Sequence, residues 1–398
     1  MRALVVAGLL LVSCGELSSG ALAGATASTG ATRGAGSSAT RSHAPTFSPT
    51  PSAVPIGLGT DPAVGLLAGG CLGTWAYDGR TGALAMMPTP SPASSTTGTR
   101  SSSPNGRYAT EIRRVTAGPI IERTDLWLID TATGTERLLY SPPAPPSQGQ
   151  GATAQPNPNI PPYVFQRTEY VGPWSPDERY LAMWIVDAVG NSIDADGRPL
   201  AIVDVATGAL TELGPTLLGS TLAWRAPHTL AYVAGLGREH WSNKMLRIWT
   251  PETGSRDLTV PGEIGIKPAW GPDGRLWFVN GPSGDYDVPT YFAGRGIGDH
   301  SVLALELDTG RRVMLPRVPG YADEGVRVSR DGTVALVLRR RLDPIAQAKG
   351  LGTRDDALEL WSQRPDGASP RPLVRLCTSC GFGYYGGYAS LASLDWNR

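Results

Sequence analysis

From about residue 60 onward the chain alternates short apolar clusters with compact polar turns, and the turns are of two recurring kinds. The first is a Pro-Asp-Gly hairpin. It occurs at Ser103-Pro104-Asn105-Gly106, Trp174-Ser175-Pro176-Asp177-Glu178, Trp270-Gly271-Pro272-Asp273-Gly274 and, in weaker form, Ser329-Arg330-Asp331-Gly332. Trp224-Arg225-Ala226-Pro227-His228 keeps the Trp and loses the Asp-Gly. Pro presets φ for the turn, Asp accepts backbone N–H bonds, and Gly tolerates positive φ. In the second kind an apolar cluster is followed by Thr-Gly or its equivalent: Leu126 to Asp130 with Thr133-Gly134, and Leu200 to Asp204 with Thr207-Gly208. Leu246 to Trp249 with Thr253-Gly254, Leu303 to Leu307 with Thr309-Gly310, and Leu358 to Trp361 with Asp366-Gly367 repeat it. Apolar clusters bounded by such turns predict strands.

Strand, tight turn, strand, longer connection, strand, tight turn, strand describes one four-stranded blade, and regular repetition of that unit predicts a β-propeller. Full copies start near residues 101, 170, 220, 266 and 324. A sixth is split. Leu394-Asp395-Trp396-Asn397-Arg398 supplies one strand, and the stretch from Asp61 through Thr74-Trp75-Ala76-Tyr77-Asp78 with Thr81-Gly82 supplies the others. The expected fold is all-β, a six-bladed propeller over residues 61–398, closed by a blade shared between the two ends of the chain. Such closure removes exposed sheet edges.

These repeats resemble the TolB-like propeller (WD40-like), whose repeat is written around Trp-Ser-Pro-Asp-Gly. The likeness covers residues 61–398 and is specific to fold and repeat type, not to activity. TolB itself carries an α/β domain ahead of its six blades. Here that place is taken by an address and a tether.

Met1-Arg2 and the apolar run Ala3 to Val12 fit a signal peptide, being too short for a bilayer span of about 20 residues. Leu11-Val12-Ser13-Cys14 follows and resembles the bacterial lipobox, so residues 1–13 are expected to be cleaved and Cys14 lipidated. The competing reading is an ordinary cleaved signal with an incidental Cys. Residues 14–60 are rich in Ser, Thr, Ala, Gly and Pro and poor in bulky apolar side chains, which predicts a disordered tether. At 5–6 Å × √n it would give the folded part a reach of roughly 35–40 Å. The expected location is extracytoplasmic, on a bacterial membrane at the cell surface or in the periplasm.

Charge changes this picture little. Thirty-five basic residues balance 35 acidic ones, so nothing favours a nucleic acid, and nearly all the cations are Arg. A monomer is expected, held to the membrane through the lipid on Cys14.

The longer connections, Ser141 to Thr168, Asp187 to Arg198, Gly235 to Asn243, Asn280 to His300 and Arg341 to Asp355, are all expected on one end of the blades. Long loops are disproportionately functional. Trp241, Tyr286, Tyr291, Phe292, Tyr384, Tyr385 and Tyr388 are the candidate binding residues there, since Tyr and Trp commonly anchor interfaces. Rigid aromatic packing over the ring mouth is the alternative. Cys71, Cys377 and Cys380 remain for disulfides. A bridge from Cys71 to Cys377 or Cys380 would staple the shared blade; a local Cys377–Cys380 bridge with Cys71 free is the other pairing.

Catalytic signatures are thin. The four His are His43, His228, His240 and His300, with no Gly-x-Ser-x-Gly and no His-Glu-x-x-His. Asn191, Asp194 and Asp196-Gly197 have a calcium-loop flavour but lack the Glu of an EF-hand, and no metal or cofactor is assigned. The favoured reading is a non-enzymatic module that binds an envelope protein. The alternative is a small-ligand binder, or a propeller hydrolase or lyase, with a metal or polar pocket at the central channel.

Overall fold

The computed structural model describes residues 64–70, 73–78, 84–87, 100–116, 122–142, 166–187, 198–216, 222–235, 242–283, 299–342, 357–377 and 394–396. Their strands form four-stranded antiparallel sheets that resemble propeller blades. The first unit holds β1 (Val64–Gly70), β2 (Gly73–Asp78) and β3 (Leu84–Met87). The second holds β4 (Arg100–Ser102), β5 (Tyr108–Thr116), β6 (Glu122–Asp130) and β7 (Glu136–Tyr140). The third is β8 (Gln166–Trp174), β9 (Tyr180–Asp187), β10 (Arg198–Asp204) and β11 (Leu210–Thr216). The fourth is β12 (Leu222–Arg225), β13 (Thr229–Ala234), β14 (Met245–Thr250) and β15 (Gly254–Asp257). The fifth is β16 (Glu263–Trp270), β17 (Leu276–Pro282), β18 (Ser301–Leu305) and β19 (Arg312–Met314). The sixth is β20 (Tyr321–Val328), β21 (Ala335–Arg341), β22 (Leu358–Gln363) and β23 (Arg371–Cys377).

The last strand, β24 (Leu394–Trp396), returns to the first unit and pairs antiparallel with β1, Trp396 opposite Leu66. That sheet therefore runs β24-β1-β2-β3, as the split repeat predicts. The third and fourth units also touch edge to edge through one pair, Thr216 opposite Ala234. Opening strands of successive units lie against one another, β8 on β4, β12 on β8, β16 on β12, β20 on β16 and β24 on β20.

Each hairpin works as its residue types demand. In the third unit the Ser175 amide donates to the Tyr180 carbonyl (2.8 Å), and the Tyr180 amide donates back to Ser175 Oγ (2.9 Å). The Ser175 hydroxyl in turn donates to Asp177 Oδ1 (2.6 Å), which also caps the Arg179 amide (3.2 Å). Ser103 and Ser329 repeat the pattern, their Oγ atoms accepting from Tyr108 N (3.0 Å) and Val334 N (2.9 Å). The turn needs a left-handed residue, and Gly106, Gly274 and Gly332 supply it at φ 71°, 78° and 71°.

The core lies between sheets, and strand alternation feeds it from both sides. On β9, Leu181, Met183 and Ile185 pack toward the second unit with Leu126, Leu128 and Leu139. Tyr180, Ala182 and Trp184 of the same strand face Leu230, Tyr232 and Trp249 of the fourth. Ile264, Ile266 and Phe278 close the next layer against Leu246 and Ile248, and Trp277 and Val302 face Val326 and Val337 in the one after. Each fully buried side chain of this size contributes about 1.5–3 kcal/mol. The repeat Trp adds a stitch: Trp224 Nε1 donates to the Pro173 carbonyl (3.0 Å) and Trp270 Nε1 to the Ala223 carbonyl (2.9 Å). Both acceptors immediately precede the previous unit's Trp. Trp174 instead stacks on Tyr108, rings 6.4 Å apart and 12° from parallel.

Candidate functional site

Neighbouring strands run antiparallel, so the tight turns of a unit leave one end of its sheet and the longer middle connection leaves the other. At the tight-turn end the hairpins of consecutive units interlock. The Asn105 amide donates to Glu178 Oε1 (2.7 Å), joining the second unit to the third. The Asp177 amide donates to the Pro227 carbonyl (3.3 Å), and Asp177 Oδ2 meets His228 Nδ1 at 2.8 Å, joining the third to the fourth. His228 Nε2 also meets Glu252 at 3.2 Å. Arg225 Nη1 donates to the Gly274 carbonyl (3.1 Å), joining the fourth to the fifth.

Two features of this end carry chemistry. Burial opposes a charge on His228, but its bonds to Asp177 and Glu252 outweigh that and raise its pKa. Burial likewise opposes the Asp177 carboxylate, and bonds from Ser175 and His228 reverse the sign and lower its pKa. Glu178 stands where the other hairpins have Gly, at φ 60°, and is buried while it caps Asn105. A left-handed conformation costs a non-Gly residue roughly 1–2 kcal/mol. The bond to Asn105 offsets that cost.

A cleft of about 500 Å³ opens at this end between the second and third units. Arg107, Arg137 and Arg179 line it together with Asp130, Asp177 and Glu178. Arg107 lies over the Tyr108 ring at 4.8 Å and Arg179 over Tyr180 at 5.1 Å. Arg275 repeats the arrangement in the fifth unit, 5.0 Å over Trp277. The recurring signal, visible in the repeats, is the Arg that follows the turn in Asn105-Gly106-Arg107, Asp177-Glu178-Arg179 and Asp273-Gly274-Arg275. Counting charges does not reveal it, because the signal lies in the position of each Arg relative to its turn.

A second gathering of charge is buried where the fifth and sixth units meet. β-Bulges interrupt β16 between Ile266 and Ala269 and β20 between Asp323 and Gly325. Bulges re-aim side chains. Lys267, at φ 52°, is buried, and burial pushes its pKa down to about 8 against the pull of Glu324. Glu324 pairs with the fully buried Arg340. On the opposite face of β21, Arg339 Nε donates to Asp323 Oδ1 (2.9 Å) and its Nη2 to Gln363 Oε1 (2.6 Å). Burial raises the Asp323 pKa in spite of that pairing. His300 is also buried, and burial drives its pKa down to about 4, which keeps it neutral. Among the described residues, no group of three or more His, Cys, Asp or Glu is placed to hold a metal ion.

The residues predicted for binding, Trp241, Tyr286, Tyr291, Phe292, Tyr384, Tyr385 and Tyr388, lie outside the described residues, as do Cys14, Cys71, Cys380 and the calcium-like stretch at 191–197. Cys377 closes β23, its backbone opposite Leu358. The connections that carry the aromatic residues at 241–292 leave the ends of their sheets opposite to the hairpins.

No family model and no curated protein matches the sequence. Solved structures similar to it include a TolB from Agrobacterium tumefaciens, at 14% identity and a TM-score of 0.41 over 84% of this chain and 99% of that one. An oligogalacturonate lyase in complex with manganese is similar at 15% identity and TM-score 0.39, covering 79% and 80%. A prolyl endopeptidase is similar at 13% identity and TM-score 0.39, covering 76% of this chain and 39% of its own. The likeness, at low identity, is to TolB-like, lyase and peptidase propeller domains, and it transfers no activity and no site.

Proposed function

We propose that the chain is a lipid-anchored, extracytoplasmic member of the TolB-like propellers, and that it serves as a non-enzymatic binding module of the cell envelope. Six four-stranded units and the β24–β1 pairing support a ring closed by a shared blade. The Leu11-Val12-Ser13-Cys14 sequence supports the anchor, with residues 15–60 as tether. β1 ends next to Cys71, β23 ends at Cys377, and the two strands lie in contact, which supports a Cys71 staple.

One observation carries the binding role: the interlocked hairpin end holds exposed guanidinium groups, stacked on aromatic rings, around an open cleft. Pre-stacked Arg and Tyr lose little freedom on contact and are common interface anchors. The test is in-cell crosslinking with mass spectrometry. It compares the native chain with a hairpin-end variant (Arg107→Ala, Arg179→Ala) and a loop-end variant (Trp241→Ala, Tyr384→Ala, Tyr385→Ala). An envelope protein captured by the native chain and lost in either variant is the expected result and assigns the face. Equal capture by all three forms, or none by any, refutes the module.

The buried charges at the fifth and sixth units favour a second reading, a small-ligand or catalytic pocket near the opening strands. Lys267, Glu324, Arg340 and neutral His300 converge there. Under this reading a small carboxylate or phosphate raises the melting temperature of the native chain and not of Lys267→Met.

A further inference from the structure

We infer that the cleft between the second and third units receives an extended peptide segment through an acidic side chain. The inference rests on the binding role proposed above and names the chemistry of its ligand. The carboxylates of the cleft are already engaged. Asp130 Oδ1 accepts from the amides of Ala132 (3.0 Å) and Thr133 (3.1 Å), which holds its pKa below the usual carboxylate range. Asp177 serves Ser175, Arg179 N and His228, and Glu178 caps Asn105.

The guanidinium groups are not used in this way. Each offers five N–H donors. Arg107 is exposed and, among the described residues, stacks on Tyr108 without donating a side-chain hydrogen bond. Arg179, its side chain 55% exposed, has Asp204 as its one ion-pair partner among the described residues, at 3.7 Å. Arg137 donates through Nη2 to the Val205 carbonyl and also lines the cleft. Three cations with unused donors around a cleft match a carboxylate, which Arg binds through paired bonds.

Two further observations point to a peptide and not a polyanion. Asp130, Asp177 and Glu178 stand in the same lining, so a ligand dense in negative charge meets repulsion where a single carboxylate does not. Arg137 belongs to β7, the outer strand of its sheet, which pairs only with β6 among the described residues. An outer strand of this kind offers main-chain donors and acceptors to an added extended segment, while alternate side chains reach pockets. Peptide main chain on β7 with a carboxylate turned toward Arg107, Arg137 and Arg179 uses both.

The test passes a pool of degenerate heptapeptides over the full immobilised protein and sequences the retained fraction. Asp and Glu are expected to be enriched about tenfold at one position, the equivalent of one charge-assisted contact. The enrichment should vanish with Arg179→Ala and with Arg107→Ala. It should persist with Arg256→Ala, an exposed Arg on β15 of the fourth unit. Arg107 and Arg179 are both exposed, so their loss leaves the core intact, which the circular dichroism of each variant verifies. A retained pool without acidic preference overturns the inference, and so does a preference that survives both substitutions. Displacement of the peptides by inorganic phosphate or by a glucuronate oligosaccharide at equal concentration also overturns it. If Arg107→Ala with Arg179→Ala loses an envelope partner while the pool shows no acidic preference, the binding role stands and only the acidic-peptide assignment falls.

Discussion

Substituting Asp323 by Asn should cost the fold roughly 3–5 kcal/mol, the loss typical when one member of a buried ion pair is removed. The magnitude follows from what the carboxylate does. Its Oδ1 accepts from Arg339 Nε at 2.9 Å, and its Oδ2 accepts from the Val302 amide at 3.0 Å, across the junction between the fifth and sixth units. The Arg339 side chain is 0% exposed and that of Asp323 4%. Asn keeps one acceptor and two donors, so either Val302 N or Arg339 loses its partner, and the guanidinium is left buried without its counter-charge. Gln363 Oε1 still accepts from Arg339 but carries no charge. At the low end of roughly 2–4 °C per kcal/mol for larger domains, the melting temperature should fall by about 6–10 °C. Thermal unfolding followed by tryptophan fluorescence reads this directly, because Trp361 lies 5.1 Å from the Arg339 guanidinium. A decrease below about 1 kcal/mol would mean that water reaches the pair, and the buried-pair reasoning would be wrong. A companion pair, Arg339→Met with Asp323→Leu, should recover much of the loss while leaving the Val302 amide unsatisfied at roughly 1–3 kcal/mol.

Other consequences can be checked in the same assays. His228 has a folded pKa raised above 6.5, so its bonds to Asp177 and Glu252 stabilise fully below that value and fade as pH rises through the folded pKa. The Asp177 contribution is present above 3.8 and is lost as pH falls through its lowered value. The stability difference between native protein and His228→Ala should therefore be largest between those limits and shrink in alkaline buffer; a flat difference refutes the clamp. Gly265→Ala would set a Cβ 2.6 Å from both Leu246 Cβ and Thr259 Cγ2, so urea titration should show a loss of about 1–3 kcal/mol, and an unchanged midpoint would refute the close packing. Trp270→Phe removes the donor to the Ala223 carbonyl and should cost about 0.5–1.5 kcal/mol, without change in the urea m-value. Cys14→Ala should move the protein from membrane to soluble fractions, with unchanged membrane association counting against the anchor. Non-reducing peptide mapping should recover a bridge containing Cys71, and a free Cys71 thiol would count against the staple.

The units were legible because a hairpin is a local object. Ser175, Asp177 and Tyr180 satisfy one another within six residues, so their spacing alone predicts the turn, and the opening strands begin within a few residues of the positions expected. The degenerate hairpin at Trp224 kept its place for the same reason. What joins the units was not legible. The acceptor of Trp224 Nε1 is Pro173, 51 residues away, and no local pattern announces it. The cleft went unseen because Arg107, Arg137 and Arg179 come from two units, although the recurrence of Arg just after the turn was there to be read. Lys267 and Glu324 sit in runs that alternate like strands, and a bulge that turns a charge inward has no signature in residue type.

The pairing of β24 with β1 has a consequence for how the chain can be made. Leu66 and Trp396 are about 330 residues apart, so the first sheet cannot be finished until residues 394–396 have been delivered. During synthesis from the N-terminus, β1 must wait with one edge open to unintended pairing. Bringing the distant ends together costs roughly 5 kcal/mol of chain entropy. A factor that shields that open edge would be needed most during that interval, and a change that weakens β24 should leave β1 exposed.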